Sequence, residues 1–135
     1  MEIRKYDQFS DDMKKRIRNM ADEAINNTKK AFELFDEGNY LESIDLSSEA
    51  IFWASRAVAN FFDKDSDSLI ALAEIMHHLV EHETIEPIFY DTIIDAIGIS
   101  SSELEEVNDV LFKEHSKRLL DHAIELVKVL KNIIF

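Results

Sequence analysis

Three polar residues near the C-terminus have the types and the spacing needed for acid–base chemistry. His115, Arg118 and His122 stand at offsets of three and four residues, so a helix would place them on one face. There a histidine could act as acid or base near neutral pH, while the guanidinium could hold an anion. The simpler interpretation is that these side chains reach water from the edge of an apolar stripe. We favour it, because three residues on one helix lack the further groups that a catalytic site requires.

A second group has the residue types of a divalent-metal site. Glu74, His78 and His82 recur at every fourth residue, a spacing at which two histidines on a helix can chelate a metal ion. Glu74 and His77 also match the Glu-x-x-His unit of di-iron bundles, but those need two such units and two further glutamates. The sequence offers one copy, so we expect surface side chains here, with no metal and no other cofactor.

Arg56 is a third candidate, because it is one of only two basic residues against 19 acidic ones between residues 31 and 112. We expect it to form an ion pair with a bundle glutamate such as Glu33 or Glu49. The alternative is an anion pocket beside Asn60.

The charge of the chain is strongly negative and unevenly distributed. With 15 basic and 28 acidic residues the formal net charge is −13, and residues 31–112 alone carry −17. Such an acidic middle repels phosphate backbones and disfavours nucleic-acid binding. Only the two ends, residues 1–30 and 113–135, are slightly basic, and they could form a strip if they are neighbours in space. The absence of cysteine excludes disulfides, thiolate metal sites and cysteine nucleophiles.

The elements that must position these side chains follow from the apolar periodicity. A first helix begins after Ser10 or Asp7 and ends at Gly38, and the turn there is so short that the next helix must return antiparallel. From Tyr40 to Phe62 the second helix carries two lines of apolar residues together with many small ones. We expect it to be the central helix, buried on several sides.

Two short helices follow. Ser66 or Asp67 caps the third helix, and the fourth spans Ile88–Ile97 and is ended by Gly98.

The last helix is long and runs from Leu104 to Phe135 without glycine or proline. Ser102 and Glu105 have the spacing of a capping box, and the helix could break at Glu114–Lys117, where the apolar stripe becomes polar. The elements together predict a single all-α domain over residues 1–135, an antiparallel four-helix-type bundle of long helices with two short crossover helices. The chain has no apolar run of about 20 residues and begins with a charged segment, so we expect a cytoplasmic protein that does not enter a membrane.

The region around the first turn resembles two known helical families. It is similar to one tetratricopeptide unit, but no second copy follows, and stacked repeats need about three. It also resembles the HEPN family of prokaryotic helical bundles. The Gly38–Tyr40 turn, the small-residue helix Ser43–Ala59 and the long final helix match the HEPN outline over about residues 10–135. This resemblance implies a helical bundle and a homodimer.

HEPN members that cleave RNA carry an arginine and a histidine separated by four to six residues, near the start of the last main helix. In this chain Arg118 and His122 have three residues between them, and His115 precedes the arginine. The sequence therefore departs from the family motif at the residues on which that activity would depend.

We expect a non-catalytic protein that acts through protein–protein contact as a homodimer, with the C-terminal helix at the seam. A surplus of aromatic residues for one small monomer to bury favours this: Phe9, Phe61, Phe62, Phe89, Tyr90 and Phe135. One alternative is a HEPN-like ribonuclease or toxin-type enzyme that uses His115, Arg118 and His122. The other is a weak binder of a divalent metal or small ligand that uses Glu74, His78 and His82.

Overall fold

The computed structural model describes residues 6–82, 85–101 and 109–134. A short 3-10 turn at Tyr6–Gln8 precedes five α-helices: α1 (Asp11–Asp36), α2 (Tyr40–Asn60), α3 (Leu69–Glu81), α4 (Ile88–Ser101) and α5 (Asp109–Ile134). These residues contain no β-strand, which confirms the all-α expectation. The expectations that concern Ser102, Leu104, Glu105 and Phe135 lie outside the described residues.

The first helix begins and ends at residues that the sequence predicts. The Ser10 hydroxyl accepts a hydrogen bond from the Met13 amide at 3.2 Å and so caps α1. At the other end Gly38 has a φ of +83°, which glycine adopts without steric cost. Its amide donates to the Phe35 carbonyl at 3.1 Å, and the next amide donates to the Leu34 carbonyl at 2.8 Å. This is a Schellman ending, which turns the chain sharply into α2.

The second helix is the central one, as expected. It contacts each of the other four helices, and eleven of its 21 residues are buried. Small side chains let α1 approach closely: the buried Ser43 hydroxyl donates to the Ala31 carbonyl across the pair at 2.7 Å. Near the far end of the pair the Asn60 amide lies 3.6 Å from the Met20 sulfur. These two contacts show that α1 and α2 run antiparallel.

The last helix packs against α1, α2 and α4. Leu119, Leu126 and Leu130 are almost completely buried within one chain, so the apolar stripe of α5 is used for the core of the monomer. The expectation that α5 supplies the seam of a dimer is therefore wrong for these leucines. α1 and α5, which carry most of the two slightly basic segments, contact each other.

The third helix is capped one or two residues later than expected. Its N-cap is Ser68, whose hydroxyl accepts from the Ala71 amide at 3.4 Å. The Ser66 hydroxyl accepts from the Ser68 amide at 3.1 Å. Ser66 therefore supports the turn before the helix instead of capping it, and the predicted cap at Ser66 or Asp67 is wrong.

The fourth and fifth helices are less interrupted than expected. The fourth helix continues through Gly98 to Ser101, because burial of Ile99 outweighs the roughly 1 kcal/mol by which glycine disfavours a helix. The fifth helix passes through Glu114–Lys117 without a break. Within that polar stretch Ser116 is completely buried, so a small side chain of the helix faces the core there. None of the helices in the described parts of the chain has an apolar stretch long enough to span a lipid bilayer.

Candidate functional site

Arg118 and His122 on α5 converge on one carboxylate of α4. Asp95 accepts hydrogen bonds from Arg118 Nε at 3.0 Å and from Arg118 Nη2 at 2.6 Å, each through a different oxygen. His122 Nε2 lies 2.7 Å from Asp95 Oδ2. The four-residue spacing places both basic groups on one face of α5, and the parallel pair of bonds is the geometry in which arginine binds a carboxylate most specifically. We call these three residues the Asp95 cluster.

His115 is the predicted member that the Asp95 cluster leaves out. It is half-buried about one turn before Arg118, and the described contacts of Asp95 are with Arg118 and His122. Sequence reasoning missed Asp95 itself. Its residue type gave a signal, since it is an acid on a predicted helix, but nothing in the sequence says which face of α4 meets α5.

The surroundings of the Asp95 cluster are acidic. A shallow cleft of about 580 Å³ beside it is lined by Glu114, Asp121 and Glu125 as well as by Lys117 and Arg118. The guanidinium is already neutralised by a bidentate carboxylate, so a phosphate would have to displace that bond in a field that repels it. The arrangement is therefore better suited to fastening α4 to α5 than to binding an anion.

The predicted metal group lies on the exposed side of α3. The rings of His78 and His82 meet edge to face with centroids 4.3 Å apart, while Glu74 and His78 border a separate cleft. His77 is engaged elsewhere, with its Nε2 atom 2.9 Å from a Glu81 oxygen. Within the described ranges no group of three or more histidine, aspartate or glutamate side chains is arranged to hold a metal ion.

A second charged cluster joins α1, α2 and the segment that follows α2. Asp65 accepts hydrogen bonds from Arg56 at 2.7 and 3.0 Å, from Asn60 at 3.2 Å and from Arg16. The guanidinium carbon of Arg56 also lies 5.6 Å from the centre of the Trp53 ring, within the range of a cation–π contact. The hydrogen bond from Arg56 is the main cause that lowers the pKa of Asp65 from 3.8 to about 2. The same bond raises the pKa of Arg56.

The expectation that Arg56 pairs with Glu33 or Glu49 is wrong because the chain folds back after α2. Asp63 adopts a φ of +58°, and its amide donates to the Asn60 carbonyl at 3.2 Å while the next amide donates to the Ala59 carbonyl at 3.1 Å. This Schellman turn carries Asp65 back over Arg56.

The aromatic residues expected at the surface are mostly buried. Phe9, Phe61, Phe62 and Phe89 keep 3–7% of their surface exposed, Tyr90 is half-buried and Phe135 lies outside the described residues. The predicted surplus of exposed aromatic residues is therefore wrong for the four phenylalanines. Among the described residues, the large apolar side chains that remain exposed are others: Phe32 (50%), Leu41 (50%), Ile70 (64%) and Ile94 (43%).

An apolar cleft lies at the C-terminal end of α2. It has a volume of about 670 Å³ and lies where the C-terminal ends of α2, α3 and α5 meet the start of α4. The phenylalanines Phe61, Phe62 and Phe89 line it together with aliphatic side chains and Glu86. We call it the apolar cleft.

Comparison of the chain with protein-family models, with curated proteins and with solved structures found no match.

Proposed function

We propose that this chain is a non-catalytic helical-bundle protein that acts through protein–protein contact and associates as a homodimer. The proposal includes a cytoplasmic location and an antiparallel four-helix-type architecture in which α3 and α4 are the short crossover helices. What supports a contact function is that the most enzyme-like group, the Asp95 cluster, is a saturated ion-pair network in an acidic setting. Large apolar side chains, by contrast, stay exposed after the core is complete.

The observation that carries the proposal is the apolar end of the α1–α2 hairpin. Phe32 in the last turns of α1 and Leu41 in the first turn of α2 are each half exposed, and both lie close to the turn at Gly38. The rings of Phe35 and Tyr40 meet beside them with centroids 5.4 Å apart. Two exposed apolar side chains near the same turn, with a half-buried aromatic pair between the same two helices, make up the surface that we propose a second copy of the chain covers.

Association through this end is stabilised by removing apolar surface from water. Complete burial of a leucine or phenylalanine side chain contributes about 1.5–3 kcal/mol, and here roughly half of each remains to be buried. Two copies double the number of such side chains, because a twofold interface uses the same patch on both subunits.

The proposal is tested by charge substitutions, with light scattering coupled to size exclusion as the measurement. We expect the wild type to be dimeric and Phe32→Glu and Leu41→Glu to be monomeric, with unchanged far-ultraviolet helicity because both positions are exposed. Ile70→Glu is the matched control, since Ile70 is even more exposed but lies at the start of α3. A dimer that survives both tip substitutions, or that Ile70→Glu disrupts equally, would place the interface elsewhere.

A second candidate function is HEPN-like RNA cleavage at His115, Arg118 and His122. The contact between Asp95 and His122 favours it, since a carboxylate that orients an imidazole is a common arrangement in acid–base catalysis. The departure from the family motif and the acidic cleft count against it. The test is incubation of the wild type with single-stranded RNA, with His122→Ala as the inactive variant and Lys117→Ala as the neighbouring control. Our proposal expects no cleavage by any of them, and cleavage lost only in His122→Ala would replace it with the enzyme.

A further inference from the structure

We propose that the apolar cleft is a binding site for a small organic cation with an apolar body, such as an alkylammonium or arylammonium compound. The cleft takes its walls from the last residues of α2 and α5, whereas the hairpin tip with Phe32 lies at the first turn of α2. The two sites are therefore at opposite ends of α2, and the proposal does not depend on self-association.

The size and lining of the cleft fit a small molecule. Its volume of about 670 Å³ lies within the roughly 300–1,000 Å³ of ligand pockets. Nine of the ten residues that line it are apolar, so transfer of an apolar body from water into the cleft provides the main driving force. A sugar or a nucleotide would lose its hydrogen bonds to water there, because among the described lining residues only Glu86 offers a side chain that forms strong hydrogen bonds.

The charge of the cleft selects the sign of the ligand. Glu86 is the one charged side chain among its described lining residues, and it is exposed at the start of α4. Its carboxylate at the rim attracts a cation and repels a carboxylate.

The aromatic lining acts in the same direction as the charge. Phe61, Phe62 and Phe89 are among the residues that line the cleft, and the face of an aromatic ring attracts a cation, quaternary ammonium groups included. A ligand with an alkyl chain and an ammonium head would therefore bury the chain against the aliphatic walls and keep the head near the carboxylate. A fatty acid with a chain of the same length would place its carboxylate next to the carboxylate of Glu86, and the two negative charges would repel each other.

The test uses three probes that share one alkyl chain: octyltrimethylammonium, octanoate and 1-octanol, each below its micelle-forming or solubility limit. Titration calorimetry and amide chemical shifts measure binding to the full chain. We expect one ammonium molecule per chain, bound about fivefold more tightly than octanoate, which is the upper end of what one exposed charge pair contributes. The shifted amides should be those of the α2, α4 and α5 residues that line the cleft. Equal affinity for the ammonium and the carboxylate would overturn the proposal.

Two variants and one control variant separate the effect of charge from the effect of shape. Val129→Trp fills the cleft from α5 and should weaken the ammonium and octanol at least about tenfold, whereas Ile94→Trp, an exposed position on α4 outside the cleft, should leave both unchanged. Glu86→Gln should bring the affinities for ammonium and octanoate within about twofold of each other without changing that for octanol. Because Glu86 is exposed, this variant folds even if Val129→Trp does not. Unchanged preference in Glu86→Gln, or no binding of the ammonium to the wild type, contradicts the assignment.

Discussion

Asp65 shows at the scale of a single residue how a charge stabilises this fold. Two arginines and an amide from two helices bind its carboxylate, which holds the pKa at about 2 against an ordinary 3.8. Because the pKa is lower in the folded state, the contribution to stability is fully present above about pH 4. It is lost as the pH falls through 2. The side chain is 31% exposed, so solvent screening reduces this contribution to about 1 kcal/mol.

Replacing this carboxylate should remove that part of the pH dependence. We expect Asp65→Asn to lower the free energy of unfolding by about 1 kcal/mol at pH 7. Between pH 4 and pH 2 the free energy of unfolding should fall less in this variant than in the wild type. Urea denaturation at the three pH values measures both effects. The control is Asp121→Asn, because Asp121 is exposed and its ion pair with Lys117 is long, at 3.8 Å. This substitution should lower the free energy of unfolding by less than about 0.5 kcal/mol. Equal losses in the two variants would refute the role of Asp65.

Two serines on α2 allow a paired comparison of buried hydroxyls. Ser43 donates to the Ala31 carbonyl at 2.7 Å, whereas the Ser55 hydroxyl is buried and has no hydrogen-bond partner within the described residues. A satisfied buried hydrogen bond contributes about 1 kcal/mol, while an unsatisfied group costs a similar amount. We therefore expect Ser43→Ala to lower the free energy of unfolding by about 1 kcal/mol and Ser55→Ala to raise it by about 0.5–1 kcal/mol. Thermal or urea unfolding that shows the same sign for both variants would contradict the comparison.

At the scale of whole helices, the two glycines play opposite parts. Gly38 ends α1 with a φ of +83°, while Gly98 lies inside α4, and a Cβ added at either position would meet no heavy atom within 4 Å. The effect of alanine is therefore conformational at both. We expect Gly38→Ala to destabilise the protein by about 1 kcal/mol and Gly98→Ala to stabilise it by about 0.5–1 kcal/mol. Melting temperatures of the two variants measure this, and a stabilised Gly38→Ala would be inconsistent with the turn described above.

Helix type was predictable from this sequence, and helix boundaries were predictable only where one residue decides them. Ser10 and Gly38 bound α1 as expected, because a cap and a left-handed turn are local features. The start of α3 depends on whether Ser66, Asp67 or Ser68 caps the helix, and all three side chains have the right chemistry. The sequence predicts that α4 ends at Gly98, but Ile99, the next residue, is buried in the core. That burial is a tertiary effect, which the local sequence does not contain.

The candidate sites depend even more on tertiary structure. Arg118 and His122 could be grouped from their spacing alone, but their partner Asp95 is 23 residues before Arg118, and helix packing decides that the two meet. The same holds for Asp65, which a turn after α2 returns to Arg56. Sequence reasoning found most of the basic residues of both clusters, but it missed Arg16 and both carboxylates. Acidic residues are so numerous in the middle of the chain that no single one stood out.

At the scale of the whole molecule, one chain leaves part of its apolar surface exposed to water. The apolar stripe of α5 and the phenylalanines that we expected at the surface are buried in the core. Phe32 and Leu41 at the hairpin tip nevertheless remain half exposed. A dimer formed through that tip would leave the apolar cleft free at the other end of α2. The association and the ligand binding that we propose thus use opposite ends of α2.

The most direct measurement is the molar mass of the wild type by light scattering across a dilution series, at moderate ionic strength. The account predicts a mass of twice the 15.7 kDa of one chain at high concentration, falling towards a single chain on dilution as the tips separate. A mass of 15.7 kDa at every concentration would contradict the homodimer and leave the exposed tip to a different protein.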